Sequence, residues 1–211
     1  MKVEAADYLD KAWATVAEVE RIVDLHEYPN DPRTVLVRGL LATMAQYHRS
    51  ARLLVQSGFV GPTYVLVRDI IRGTRYALWI NCCATSDEIL SIHEDDDFGL
   101  SSLEMTKEVE AAYQDDPFFL ELRDRWGAKL NRYLRGRIVR FGQFCINPKS
   151  GLDHKDEEVK EVVTIATLCI VLLASKFLAR QKHAVECKEV EALATAYTGE
   201  GWTGRRAMGA Y

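Results

Sequence analysis

The sequence predicts an all-α fold, an up-down helical bundle of four to five long helices plus short connecting helices. Three observations carry that expectation. Apolar residues recur at spacings of three and four over long stretches, as one face of a helix requires. Asp-Pro pairs, the capping residues Thr85, Ser86 and Asp87, and a capping box of Ser101 with Glu104 mark helix starts at sensible intervals. No run alternates apolar and polar residues between hairpin turns.

The first helix is expected from about Glu4 to Leu25, with Tyr8, Leu9, Trp13, Val16, Val19 and Val23 on its apolar face and a turn at Pro29 and Pro32 beyond it. Asp31-Pro32, a cap followed by proline at the first helical position, opens a second to about Gln56. The SGFVGP loop interrupts the chain, and Pro62 starts a third helix that reaches about Cys83. Thr85, Ser86 and Asp87 cap a short fourth, DEILSIH, and Ser101 with Glu104 forms a capping box for a fifth, SLEMTKEVEAAY. Asp116-Pro117 repeats the start signal for a helix to about Cys145. After the INPKSGLD turn, Asp156, Glu157 and Glu158 suit the positive end of a last long helix. That helix is expected to run on through Gln181 and Lys182 to about Tyr197. Its stretch from Val162 to Leu173 is apolar nearly all round, which predicts either the bundle centre or a subunit interface. Residues 1–198 are read as one helical-bundle domain and 199–211 as a Gly-rich tail.

Composition bounds the function. A chain of 211 residues with 48% hydrophobic residues suffices for one well-buried core, and a net charge of −4 restricts any polyanion contact to a local patch. The opening MKVEAADYLDKAW carries acids and no apolar signal core. The longest apolar run, VVTIATLCIVLLAS, has about 14 residues where a bilayer needs roughly 20, so no membrane partner is expected. Cys82, Cys83, Cys145, Cys169 and Cys187 are odd in number and lack C-x-x-C spacing, which fits reduced residues in a cytoplasmic protein.

Arginine placement supplies the candidate site. In the third helix Arg68, Arg72 and Arg75 stand at i, i+4 and i+7 within roughly 60° of arc, with Asp69 beside them and Trp79 continuing the line. This cationic edge either faces water or lines a groove for phosphate or a carboxylate-rich partner, with Trp79 offering a ring to stack on a base. The stretch RYLRGRIVRF carries four more arginines. Arg132, Arg135 and Arg140 fall off the apolar stripe of Phe119, Leu122, Trp126, Leu130, Tyr133, Leu134, Ile138, Phe141 and Cys145, whereas Arg137 falls on it. Arg137 therefore needs a carboxylate, a helix C-terminus, an anionic ligand or a break at Gly136. The acidic segment Asp87 to Asp116 and the basic segment Arg123 to Arg140 are of opposite sign and are expected to pair, within one chain or across subunits.

Catalytic and metal motifs are sparse. HEDDD, His93 to Asp97, lacks the ligand spacing of a calcium loop or zinc motif, and no G-x-S-x-G, H-E-x-x-H, Walker loop or dinucleotide glycine pattern occurs. His48, His154 and His183 stand beside basic residues or helix ends without a nucleophile nearby in sequence. No metal and no cofactor are expected.

At YVLVRDIIRGTRYALW and LNRYLRGRIVRF the sequence resembles a group of uncharacterised bacterial helical proteins related to the HEPN class, over about Arg33 to Leu178. The resemblance implies a four- or five-helix bundle, often homodimeric; many members of the class are ribonucleases of toxin or defence systems and others are non-catalytic. The catalytic members use an arginine, a polar residue and a histidine four to six residues on. Arg68-Asp69 matches the opening pair, but Gly73, Thr74 and Arg75 stand where the histidine would fall. Arg21 and His26 have the right separation, with Ile22 in place of the polar residue. The function expected is a cytoplasmic, HEPN-like, homodimeric binding protein for RNA or a nucleotide, with ligand-binding candidates Arg68, Asp69, Arg72, Arg75, Trp79 and Arg137. Two alternatives stand beside it: a metal-independent ribonuclease using Arg21 with His26, or a different arginine and histidine brought together across subunits, and a purely structural oligomeric subunit.

Overall fold

A computed structural model of the chain describes residues 3–95, 101–113 and 156–199. Among these the protein is all-α, with seven helices and no strand. The expected helix from Asp116-Pro117, with Arg137 and the rest of RYLRGRIVRF, lies outside the described residues, as does the tail from residue 200.

Helix α1, Val3–Asp24, buries Leu9, Ala12, Trp13, Val16, Val19, Ile22 and Val23, the three-and-four spacing of one face. Helix α2, Pro32–Gln56, starts as its sequence requires: Asp31 accepts from the Thr34 N–H at 3.0 Å, and Pro32 stands at the first helical position. It ends in a Schellman turn, where the Gly58 N–H reaches Val55 O, the Phe59 N–H reaches Leu54 O, and Gly58 takes a φ of 79° that a side chain would resist. The two helices run antiparallel, because Asp10, Glu20 and Asp24 meet Arg52, Arg49 and Arg38 in reverse order, at 3.2, 2.5 and 3.7 Å.

Helix α3, Val60–Cys82, begins two residues before the expected Pro62. The Schellman turn already directs the chain into the helix, and a proline within the first turn gives up no needed N–H. Its other end is capped by a residue of α2: both Arg33 guanidinium nitrogens donate to terminal carbonyls, one to Ile80 O and one to Ala84 O, the latter at 2.5 Å. Helix α4, Ser86–Asp95, opens on a capping box in which Thr85 and Glu88 exchange bonds of 2.7 and 3.3 Å. Helix α5, Ser102–Tyr113, does the same with Ser101 and Glu104, at 2.9 and 3.3 Å.

Helix α6, Asp156–Arg180, occupies the bundle centre and packs on α1, α2 and α3. By length and composition Val159–Arg180 is apolar enough to cross a membrane, yet most of it is enclosed by the other helices. Its threonines tie it to its neighbours: Thr164 accepts from Tyr8 of α1 at 2.5 Å, and Thr167 meets His48 of α2 at 3.0 Å.

The last helix does not continue to Tyr197 as one rod. Helix α6 closes at Arg180 in a second Schellman turn, with the Lys182 N–H on Ala179 O and the His183 N–H on Leu178 O. Lys182 takes the left-handed φ of 65° that such a turn needs. A separate helix α7, Ala184–Thr198, then folds back against α6 and α1. The continuous apolar pattern hid this break, since two helices packed on the same core both show apolar residues at helical spacing.

Candidate functional site

The cationic edge of α3 exists, with altered membership. Arg68 and Arg72 are exposed, whereas Arg75 is half-buried one turn further on. Arg72 donates from Nε to the Tyr76 hydroxyl at 3.2 Å, and the Arg72 and Arg75 guanidiniums lie 5.8 and 5.6 Å from the centre of the Tyr76 ring. The Tyr76 hydrogen bond, helped by the charge of half-buried Asp69, favours the Arg72 cation. Burial disfavours the Arg75 cation, whose pKa is lowered, and its Nε is buried with no hydrogen-bond partner.

Trp79 does not extend this edge. It is 1% exposed in the core, and its indole N–H is given to Glu108 of α5 at 2.7 Å. The helical line of positions 68, 72, 75 and 79 passes beneath α5 before it reaches Trp79, so no ring face is free there for a base. Tyr76 is the aromatic residue beside the arginines. Glu108 is also one acid of the Asp87 to Asp116 set that meets an indole rather than an arginine.

Pairing divides the described arginines: Arg33 donates to the carbonyls at the end of α3, and no described carboxylate lies within ion-pair distance of it or of Arg180. Arg21, Arg38, Arg49 and Arg52 each meet a carboxylate. Among the described residues, Arg68, Arg72 and Arg75 meet none within ion-pair distance.

The ribonuclease pairings are not assembled in the described residues. Gly73 and Thr74, which stand where a histidine partner of Arg68 would fall, are buried, and a Cβ on Gly73 would run into the thioether end of Met44. Arg21 turns to Glu18 with two hydrogen bonds, of 2.9 and 2.7 Å. His26 turns away to α7.

There the structure assembles a group that the sequence did not advertise. The His26 and His183 rings stack with centroids 4.1 Å apart, and His26 Nε2 lies 3.1 Å from Glu186 Oε1. That approach is within ion-pair range but misaligned as a hydrogen bond, which leaves Nε2 buried without a hydrogen-bond partner. Tyr28 stands edge-on to both rings, packed on Phe177 and anchored by its hydroxyl on Val23 O at 2.8 Å. The signal available in sequence was His183-x-x-Glu186, a spacing that puts both residues on one side of a helix start. What the sequence does not show is that His26 meets this pair, since that contact depends on the fold-back of α7.

Two further groups are structural in their surroundings. Burial pushes the His48 pKa down to about 3, so the ring is neutral between α2 and α6. Cys82 and Cys83 have sulfurs 3.1 Å apart at the end of α3; a hydrogen bond from Cys83 lowers the Cys82 pKa, while that same bond and burial raise that of Cys83.

Comparison with protein-family models, with curated proteins and with solved structures returns no match.

Proposed function

We propose that this protein is a HEPN-like helical-bundle binding protein whose α3 edge, Arg68, Arg72 and Arg75 around Tyr76, takes an anionic partner, with RNA or a nucleotide as the ligand class. The observation that carries this reading is the contrast in pairing. Four other described arginines meet carboxylates and Arg33 caps a helix end, whereas these three, gathered on one helix, meet no carboxylate among the described residues. A half-buried guanidinium that meets a tyrosine but no carboxylate, with its Nε unsatisfied, is unfavourable by itself, and an oxyanion at Arg75 would relieve that cost. Guanidiniums bind phosphate in forks.

The test is equilibrium binding of a labelled single-stranded RNA across a salt series. Affinity should fall as salt rises, and each of Arg68→Ala and Arg72→Ala should lower the slope of log K against log salt by about 0.7. No binding above background at low salt, or a slope indifferent to both substitutions, removes this reading. The same proposal takes the protein as a homodimer in the cytoplasm. Light scattering across an ionic-strength series checks the dimer: a single-chain mass at every salt concentration would refute it.

A further inference from the structure

We infer that His26, His183 and Glu186 form a binding site for a divalent transition-metal ion of the zinc class, at the junction where the end of α1 meets the start of α7. This departs from the sequence-based expectation of no metal.

One ligand atom from each of the three residues lies within 4.8 Å of the other two. Two imidazole nitrogens and a carboxylate oxygen are the donors that zinc, cobalt and nickel ions share. Metal bonds of about 2.0–2.1 Å in a tetrahedron place ligand atoms roughly 3.3 Å apart. His26 Nε2 and Glu186 Oε1, 3.1 Å apart, already have that separation. The third ligand arrives when the His183 ring turns out of its stack on His26, a rotation about side-chain bonds at the edge of the bundle.

A second observation points to an ion. His26 Nε2 is buried without a hydrogen-bond partner, although a carboxylate oxygen lies 3.1 Å away. A buried ring nitrogen left unsatisfied beside an anion calls for a missing third party, and a cation between nitrogen and oxygen satisfies both. The surroundings are also built rather than accidental. Tyr28 stands against both rings, 6.3 and 5.6 Å between centroids, and is itself fixed on Phe177 and Val23. These ring contacts keep the two imidazoles together beside Glu186. The left-handed turn at Lys182 aims His183, the residue just before α7, at His26. Three protein ligands leave a fourth position for water or a ligand group, the open arrangement of exchangeable sites rather than closed structural ones.

The site would tie chain segments 157 residues apart, so metal binding should stabilise the folded chain. The experiment uses untagged full-length protein stripped with chelator and titrated with Co²⁺, then Zn²⁺. One equivalent per chain should bind, cobalt should show the visible bands of a four-coordinate ion, and zinc should displace it. At a hundredfold excess over Kd, zinc should raise Tm by about 5–10 °C. His26→Gln, His183→Gln and Glu186→Gln should each weaken binding by at least about tenfold. Circular dichroism of each metal-free variant shows whether it folds. The wild-type chain gives a readout that needs no variant: zinc should shift the imidazole resonances of two of its five histidines. Absence of stoichiometric binding overturns the inference. So does binding that survives all three substitutions, or that is lost instead in a Cys82→Ser, Cys83→Ser double variant.

Discussion

His48 shows how one buried side chain sets a pH dependence. Its ring sits between α2 and α6, with Nε2 on Thr167 and Nδ1 without a partner, and burial lowers its pKa from 6.5 to about 3. Below pH 6.5 the unfolded chain takes up a proton there and the native chain does not. Stability is therefore unaffected by this group above 6.5, and falls with decreasing pH from 6.5 toward 3 with a slope approaching about 1.4 kcal/mol per unit. Denaturant titrations at pH 7.5, 5.5 and 4.5 measure that slope, and His48→Gln should flatten it. Arg33 is a second single residue with structural reach, since its guanidinium occupies the negative end of α3. Arg33→Ala should destabilise by about 1.5–3 kcal/mol, the range for hydrogen bonds from a charged group, and Arg33→Lys should recover only part of it. Neither role follows from residue type. Composition can say that a histidine or arginine is present; only packing decides whether it is desolvated or aimed at a helix end.

At the scale of elements, most starts were legible because caps are local. The Asp31-Pro32 cap, Thr85 before the fourth helix and the Ser101-Glu104 box act within one turn of backbone, and Asp31, Thr85 and Ser101 each form capping bonds, Thr85 with Glu88. The end of α6 was not legible, because Lys182 is no glycine and its left-handed φ of 65° carries no sequence mark. A non-glycine residue in that conformation costs about 1–2 kcal/mol, part of which glycine would return through its looser unfolded state. Lys182→Gly should accordingly stabilise the protein by about 0.5–1 kcal/mol and raise Tm by a few degrees, read by thermal melting. Lys182→Val, branched at Cβ, should lower Tm. The same turn determines whether α7 extends into solvent or folds back, and with it whether Glu186 meets His26.

At the scale of the molecule, the bundle is held around α6 by a dry apolar face with a few polar ties. Thr164 is the most connected of these, accepting from Tyr8 of α1 at 2.5 Å and from Tyr197 of α7 at 3.5 Å while donating to Lys160 O. Thr164→Val keeps the shape but takes the shared acceptor from the Tyr8 and Tyr197 hydroxyls, leaving Tyr197 its bond with Thr167, and it should cost about 1–3 kcal/mol in chemical denaturation. A smaller loss would mean that water reaches both hydroxyls. The exposed ladder between α1 and α2 adds less, about 0–1 kcal/mol for each pair, and serves chiefly to set the antiparallel direction.

By itself the sequence determined what depends on near neighbours. The helical class follows from apolar spacing and the starts of α2, α4 and α5 from their caps, while a stretch apolar on every side left α6 to be either the bundle centre or a subunit interface. The cationic edge was legible for the same reason, since Arg68, Arg72 and Arg75 share one helix and therefore one face. Tertiary structure decided what depends on distant partners. It buried Trp79 under α5 and gave Arg33 to the end of another helix. It also brought His26 to His183 and Glu186 across most of the chain. Local spacing defines which side chains lie on one face of a helix, whereas the turn at Lys182 and the packing of α7 on α1 define which faces meet.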